Sequence, residues 1–444
     1  MKSISTLVAA VLGLFACTSV FAWPTPQNPI IESASPSAPL PRIGESYKPR
    51  KRGELTYTKD IAPIMLSHCA SCHRPGEGAP FSLLSYSDVK KRAAQIVEVT
   101  RQRFMPPWKA DSHGEFEGEN RLTGDQTGTL RQWVEESAPE GQPADMPEMP
   151  KFTAGWKLGP PDAELSPANA FSLGASGTDE FHTFLIPTRF TEDRYLSAVD
   201  VRPGNRAVVH HTILAIDVTG KFRKLAGEQA RMDFARGFGV PEGVLDVWTP
   251  GKIPDRLPQG VGMLLPKGAD LVIEIHYHRT GKPESDRTKI GLYFCREPVQ
   301  RQLHIQGLNA SRLSIAPGDR DYHTGGQMPV LVDATLFSIF PHMHQIGKSM
   351  NVTLMLPDGT QQRLVNVPDW DFNRQSTYRY REPMKLPRGS TIKMTAIFDN
   401  SAANPRNPNH PPKYVGWGEQ TTDEMGVVLF AFTVDSENLT RNPK

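Results

Sequence analysis

Beyond a Pro- and Gly-rich boundary between Glu140 and Leu165, the chain is a succession of short apolar runs, rich in β-branched and aromatic residues. Tyr195 to Val201, Ala207 to Asp217, Leu271 to His278 and Lys289 to Phe294 form one group. Val330 to Ile339, Met350 to Leu356, Thr391 to Phe398 and Gly426 to Val434 form a second, beginning after roughly Leu303. Runs of this length separated by turn residues predict strands, and two such groups predict two successive all-β sandwich domains, over residues 166–300 and 301–444. Pro357-Asp358-Gly359 reads as a hairpin turn, and Phe238 to Val261 as a long irregular excursion.

Residues 55–142 follow a different period. Ser85 with Asp88 precedes a stripe of Val89, Ala93, Ile96, Val97 and Thr100, and Thr123 with Gln126 precedes Leu130, Trp133 and Val134. Each is a capping pattern followed by helical spacing, so a small all-α domain is expected here. It would be marginal without a cofactor to pack against. Residues 23–54, rich in Pro and Ser, read as an extended leader, and residues 143–165 as a linker.

The small domain has a candidate cofactor site in Cys69-Ala70-Ser71-Cys72-His73. Two thiols at this spacing can form thioethers to haem vinyl groups while the adjacent histidine reaches the iron, so the segment reads as a c-type haem site and the domain as a cytochrome c domain. Met105, between the second helix and Pro106-Pro107, is the candidate sixth ligand; His68 and His113 are weaker ones. Cys295 then has no partner for a disulfide and reads as a small packed side chain.

Lys2, the apolar stretch Leu7 to Phe15 and small residues ending at Ala22 read as an export signal over residues 1–22, which implies a periplasmic or secreted protein. Leu14-Phe15-Ala16-Cys17 offers an alternative lipoprotein signal acylated at Cys17. No later apolar run is long enough to span a membrane. A formal net charge of +2 over 444 residues gives no reason to expect a nucleic-acid partner.

Three histidine clusters end or interrupt apolar runs: His210-His211, His276 with His278, and His342 with His344. Strand periodicity places His342 and His344 on one face, a metal half-site acceptable to zinc or copper. Adjacent His210 and His211 would point to opposite faces of a regular strand, so joint ligation needs a local bend or a sheet edge.

Val209-His210-His211, Leu271 to Tyr277, Phe340 to Lys348 and Thr421 to Met425, in this order, resemble the copper type II, ascorbate-dependent monooxygenases, the family of peptidylglycine α-hydroxylating and dopamine β-monooxygenases. The resemblance covers about Asp179 to Val434. It implies two jelly-roll-like β-sandwich domains, each with one copper, facing each other across a solvent-filled cleft. It further implies that His210, His211 and His276 form an electron-transfer copper site and that His342, His344 and Met425 form the catalytic site for O2. His278 receives no role. In the peptidylglycine enzyme an arginine stands where this chain has Phe340, and an asparagine and a tyrosine where it has Val427 and Leu429. A peptide carboxylate would lack its partners here, so a more apolar or differently charged small substrate is expected.

The expected activity is C–H hydroxylation with O2 by two copper ions and one haem c, the haem relaying electrons from an external reductant or periplasmic donor. The alternative is a haem- and copper-containing electron-transfer or copper-binding protein without catalysis.

Overall fold

The computed structural model describes residues 47–152, 155–224, 243–252, 254–310, 312–418 and 420–440. The expected export signal, Cys17 and most of the leader lie outside the described residues, as does the start of the 238–261 excursion.

The helical signals mark real helix starts. Helices α1 (Ala62–His68), α2 (Tyr86–Lys91), α3 (Ala93–Arg101) and α4 (Gly124–Glu135) follow a π turn at Tyr57–Ile61. Ser85 Oγ accepts from Asp88 N at 3.2 Å, and Thr123 and Gln126 form a reciprocal capping box. The stripe from Val89 to Thr100 is broken at Arg92, whose φ of −118° separates α2 from α3.

The expected all-α cytochrome c domain is corrected by what surrounds these helices. They span 7, 6, 9 and 12 residues, and the molecule is otherwise mostly β-sheet. Tyr57, Met65, Leu130 and Trp133 give the helices a small shared core. The chain between α3 and α4, however, leaves them and runs along the second sandwich. Asp111 N donates to Asn366 O at 2.8 Å, Phe116 bridges to Tyr380, and Phe116 and Trp108 pack into that sandwich's core. Caps and short apolar stripes specify where helices begin, not whether they close into a layer of their own. Helices this short are marginal alone, and these form a lobe of helix and loop resting on the β-structure.

The first sandwich contains β1 (Ala163–Leu165), β2 (Phe171–Leu173), β3 (Glu180–Pro187), β4 (Arg194–Arg202), β5 (Val209–Asp217), β6 (Val244–Trp248), β7 (Val261–Leu265), β8 (Asp270–Tyr277), β9 (Glu284–Asp286), β10 (Lys289–Phe294) and β11 (Arg301–Gln302). Its sheets run β1-β10-β4-β7-β11 and β3-β8-β5-β6, with a small β2-β9 ladder. Leu196, Leu214, Leu271, Ile275 and Leu292 fill the core. Strand β1 starts inside the stretch that reads as linker.

The second sandwich contains β12 (His304–Asn309), β13 (Ser314–Ile315), β14 (Tyr322–Pro329), β15 (Ala334–Met343), β16 (Gly347–Met355), β17 (Gln361–Val367), β18 (Tyr378–Leu386), β19 (Thr391–Phe398), β20 (Val415–Gly416) and β21 (Gly426–Val434). Its sheets run β12-β21-β15-β18 and β14-β19-β16-β17, with a small β13-β20 ladder. The predicted hairpin joins β16 to β17, with Gly359 at φ +86° in its turn. Strands β14 and β18 escape the apolar pattern because they carry Gly325, Gly326, Glu382 and Pro383, residues that weaken strand signals.

The sheet β3-β8-β5-β6 faces the sheet β12-β21-β15-β18. Val244 and Val247 of β6 meet Phe340 of β15 and Val427 and Leu429 of β21 in one buried cluster. Both histidine groups lie at this face-to-face contact.

Candidate metal centres

A β-bulge assembles the first centre. Along β5 and β8, Val209 pairs with Tyr277, yet His211, two residues later, pairs with His276, one residue earlier. His210 is the extra residue, and the bulge is the bend that adjacent histidines need to reach one ion. The ligand atoms of His210, His211 and His276 lie within 4.8 Å of one another. His210 Nδ1 and His211 Nδ1 are 3.0 Å apart, a spacing two imidazoles adopt when each sits about 2 Å from one ion.

The remaining nitrogens orient the rings. His276 Nε2 donates to Asp179 Oδ2 at 2.9 Å, which leaves His276 Nδ1 buried with no hydrogen-bond partner. His210 Nε2 donates to Asn373 Oδ1 at 3.2 Å, across the domain boundary. Phe181, opposite His276 on β3, stacks on it at 4.2 Å, and Phe372 stacks on His210 at 5.0 Å. His278 is exposed and lies 3.4 Å from the other Asp179 oxygen, so it touches the first centre only through that carboxylate.

The second centre lies on the facing sheet. Phe340 pairs with Leu429, His342 with Val427 and Met343 with Gly426, so His344 and Met425 each lie one residue beyond the last pair of this ladder. His342, His344 and Met425 line one pocket, and Met425 is buried among Phe340, Val427 and Leu429. His342 Nδ1 donates to Gln375 Oε1 at 2.7 Å and His344 Nδ1 to Asp423 O at 3.1 Å, which turns both Nε2 atoms free for a ligand.

Backbone support comes from buried Glu424, whose carboxyl accepts from the amides of His344 at 2.8 Å, Ile346 at 2.7 Å and Met425 at 3.2 Å. Burial nevertheless lifts this carboxyl to about 8. Trp370 Nε1 donates to His344 O at 2.9 Å, and a Cβ on Gly347 would stand 2.7 Å from the Trp370 ring, so the close approach requires glycine there.

Burial holds His210 and His342 down at about 4 and His344 at about 3, and holds His211 well below its ordinary value, with neighbouring imidazoles adding to the effect at His210, His211 and His344. Neutral imidazole is the form that binds a metal. With four rings anchored through one nitrogen and open at the other, the donor set fits a resident ion at each centre. Three imidazoles accept zinc or copper; the thioether beside His342 and His344 suits Cu(I).

The two centres are close. The His211 and His342 rings are 6.5 Å apart, and Phe372 also lies 5.8 Å from His344. The open, solvent-filled cleft that the resemblance implies is here a narrow pocket. Its apolar wall is Ile213, Val247, Phe340, Val427 and Leu429, with Glu274 and Gln420 among its polar groups.

The Cys69–His73 segment is a turn that follows α1, in which His73 N donates to Cys69 O at 2.9 Å. Both thiols are free. Burial pushes the Cys69 thiol up to about 12, the opposite of what a reactive dithiol pair requires. His73 Nδ1 donates to Phe81 O at 3.2 Å, leaving Nε2 for an iron. These residues fit a thioether-linked haem.

Met105 is half-buried in the turn that ends α3. His68 has both nitrogens engaged, with Asn120 at 2.8 Å and Gln126 at 3.0 Å, and His113 is exposed, so neither is placed to serve iron. Cys295 is half-buried with its thiol 3.8 Å from Val261 O, a packed side chain.

Sequence reasoning missed Asp179, Phe181 and residues 370–375, which fall outside the apolar runs and carry no motif. Glu424 lies within the Thr421 to Met425 motif without an expected role, and with Asp423 beside it nothing in the sequence singles it out.

No protein-family model matches the chain, and no curated protein matches it. Among solved structures, the major capsid protein P2 of bacteriophage PM2 is 9% identical over 63% of this chain and 98% of that one, with a TM-score of 0.25. The VP2 subviral particle of infectious bursal disease virus is 10% identical over 61% of this chain and 71% of that one, with a TM-score of 0.18. The tandem CBM22 domain of Paenibacillus barcinonensis Xyn10C is 9% identical over 61% of this chain and 93% of that one, with a TM-score of 0.16. Scores of this size carry no inference about the centres.

Proposed function

We propose that this chain is an exported copper- and haem-dependent monooxygenase, similar to the copper type II, ascorbate-dependent family, that hydroxylates a C–H bond of a small organic substrate with O2. The carrying observation is that His342, His344 and Met425 line one pocket together with His211, a member of the His210-His211-His276 cluster. Copper at these positions would supply one-electron chemistry with O2, and haem on Cys69, Cys72 and His73 a one-electron relay. Converting RH and O2 to ROH and water consumes two electrons and two protons from outside, which a relay must deliver singly.

The chain's own groups have distinct tasks. Asp179, Asn373, Gln375 and the Asp423 carbonyl fix which imidazole nitrogen faces the ion. Ile213, Val247, Phe340, Val427 and Leu429 exclude water and favour an apolar substrate portion. Phe340 cannot hold a carboxylate, which supports a substrate other than a peptide C-terminus.

Oxygen uptake by haem-matured, copper-loaded protein, with a reductant and a panel of aryl-alkyl compounds, tests the reading. Hydroxylated product should form with one O2 consumed per product. The 6.5 Å separation of His211 and His342 favours a second reading, an electron-transfer protein with no substrate; O2 uptake without any oxygenated product would select it.

A further inference from the structure

One short segment of the second sandwich touches both histidine centres and reaches the turn that carries Met105. In residues 370–375, Trp370 Nε1 and Gln375 Oε1 bond His344 O and His342 Nδ1 of the second centre. Phe372 stacks on His210, and Asn373 Oδ1 accepts from its Nε2, at the first centre. Arg374 turns the other way: its guanidinium lies 4.7 Å from the Phe104 ring, next to Met105. Its Nε is buried with no hydrogen-bond partner among the described residues. Gly251 comes close to the Cys72 thiol, since a Cβ there would stand 3.9 Å from Cys72 Sγ.

We propose that residues 370–375 are the bridge that couples the haem motif to the histidine centres, with Arg374 and Asn373 as the consecutive link from the Phe104-Met105 turn to His210. The inference rests on the haem and copper reading above and specifies its route. With haem held by Cys69, Cys72 and His73 and copper by His210, His211 and His276, the segment would carry one electron at a time, so that haem iron going from ferrous to ferric would balance Cu(II) going to Cu(I); an external one-electron donor would re-reduce the haem, and no proton is required. Consecutive residues make the link short. Because Asn373 belongs to the second sandwich and His210 to the first, the link exists only while the sandwiches are docked. Asn373 and Arg374 are thus positioning residues.

The test uses full-length protein with haem attached and both centres loaded with Cu(II). A photosensitiser reduces the haem in a flash, and the decay of its α-band reports electron departure while Cu(II) paramagnetic resonance reports arrival. In wild type the haem signal should decay as the His210-centre Cu(II) signal is lost. Arg374→Ala should slow the decay several-fold with unchanged Cu(II) spectra, and Arg374→Lys should restore part of the rate. Asn373→Ala should slow it, alter only the first-centre spectrum and lower copper affinity there by about tenfold. Wild-type decay rates in both alanine variants, with copper content intact, would overturn the bridge and leave the cofactor reading standing. A wild-type haem that never passes its electron to copper would overturn both.

Discussion

The two centres begin from similar sequence, a pair of histidines at a strand, and are built by opposite means. At the first, a bulge at His210 brings neighbouring side chains to one side, and a carboxylate and a carboxamide behind His276 and His210 leave Nδ1 atoms pointing inward. At the second, regular alternation suffices, Nε2 atoms point inward, and the support is a buried carboxyl gripping the backbone. The first centre is therefore held in part by the opposite domain, through Asn373, and the second by Glu424, Asp423, Trp370 and Gln375 of its own domain. The contrast suits a fixed three-imidazole relay facing a more open site with a thioether.

The largest effect that could break this contrast is expected at Glu424. Glu424→Ala would leave three buried amides unsatisfied and should destabilise the second sandwich by about 3 kcal/mol or more, read by denaturant unfolding. An unfolding midpoint equal to wild type would show that the backbone grip is dispensable.

Next come the ligands themselves. Met425→Ala and His276→Ala should each remove one copper per haem-matured chain while the other remains, as counted by metal analysis against one haem iron. Loss of both ions from either variant would mean the centres are a single cooperative unit.

A smaller effect should follow Asp179→Ala, which deletes the acceptor behind His276 and should weaken copper at the first centre by about 10–100-fold without touching the second, measured by chelator competition. Equal weakening at both centres would remove the distinction in how they are held.

Much of the β-structure was legible. Lys289–Phe294, Thr391–Phe398 and Gly426–Val434 end where their apolar runs end, with a charged residue, Arg296, Asp399 or Asp435, within two positions of each end. Strands β14 and β18, interrupted by Gly325-Gly326 and Glu382-Pro383, were not legible, since their place is decided by neighbours already in the sheet. Capping at Ser85 and Thr123 was read correctly, whereas the all-α domain inferred from it was not. Caps act within four residues, but the destination of the chain from Met105 to Arg121 is set by contacts with Tyr378 and Tyr380, far along the sequence.

What the sequence by itself determined is the inventory of donors and their local spacing: His342 and His344 on one face of a strand, and Cys69, Cys72 and His73 within five residues. Only the tertiary structure decided that β5 bulges at His210, that Met425 shares a pocket with His342 and His344, and that residues 370–375 contact both histidine centres. The physical reason is range. Side-chain direction follows from φ and ψ a few residues at a time, whereas the distance between two centres follows from how two independently folded sheets pack face to face.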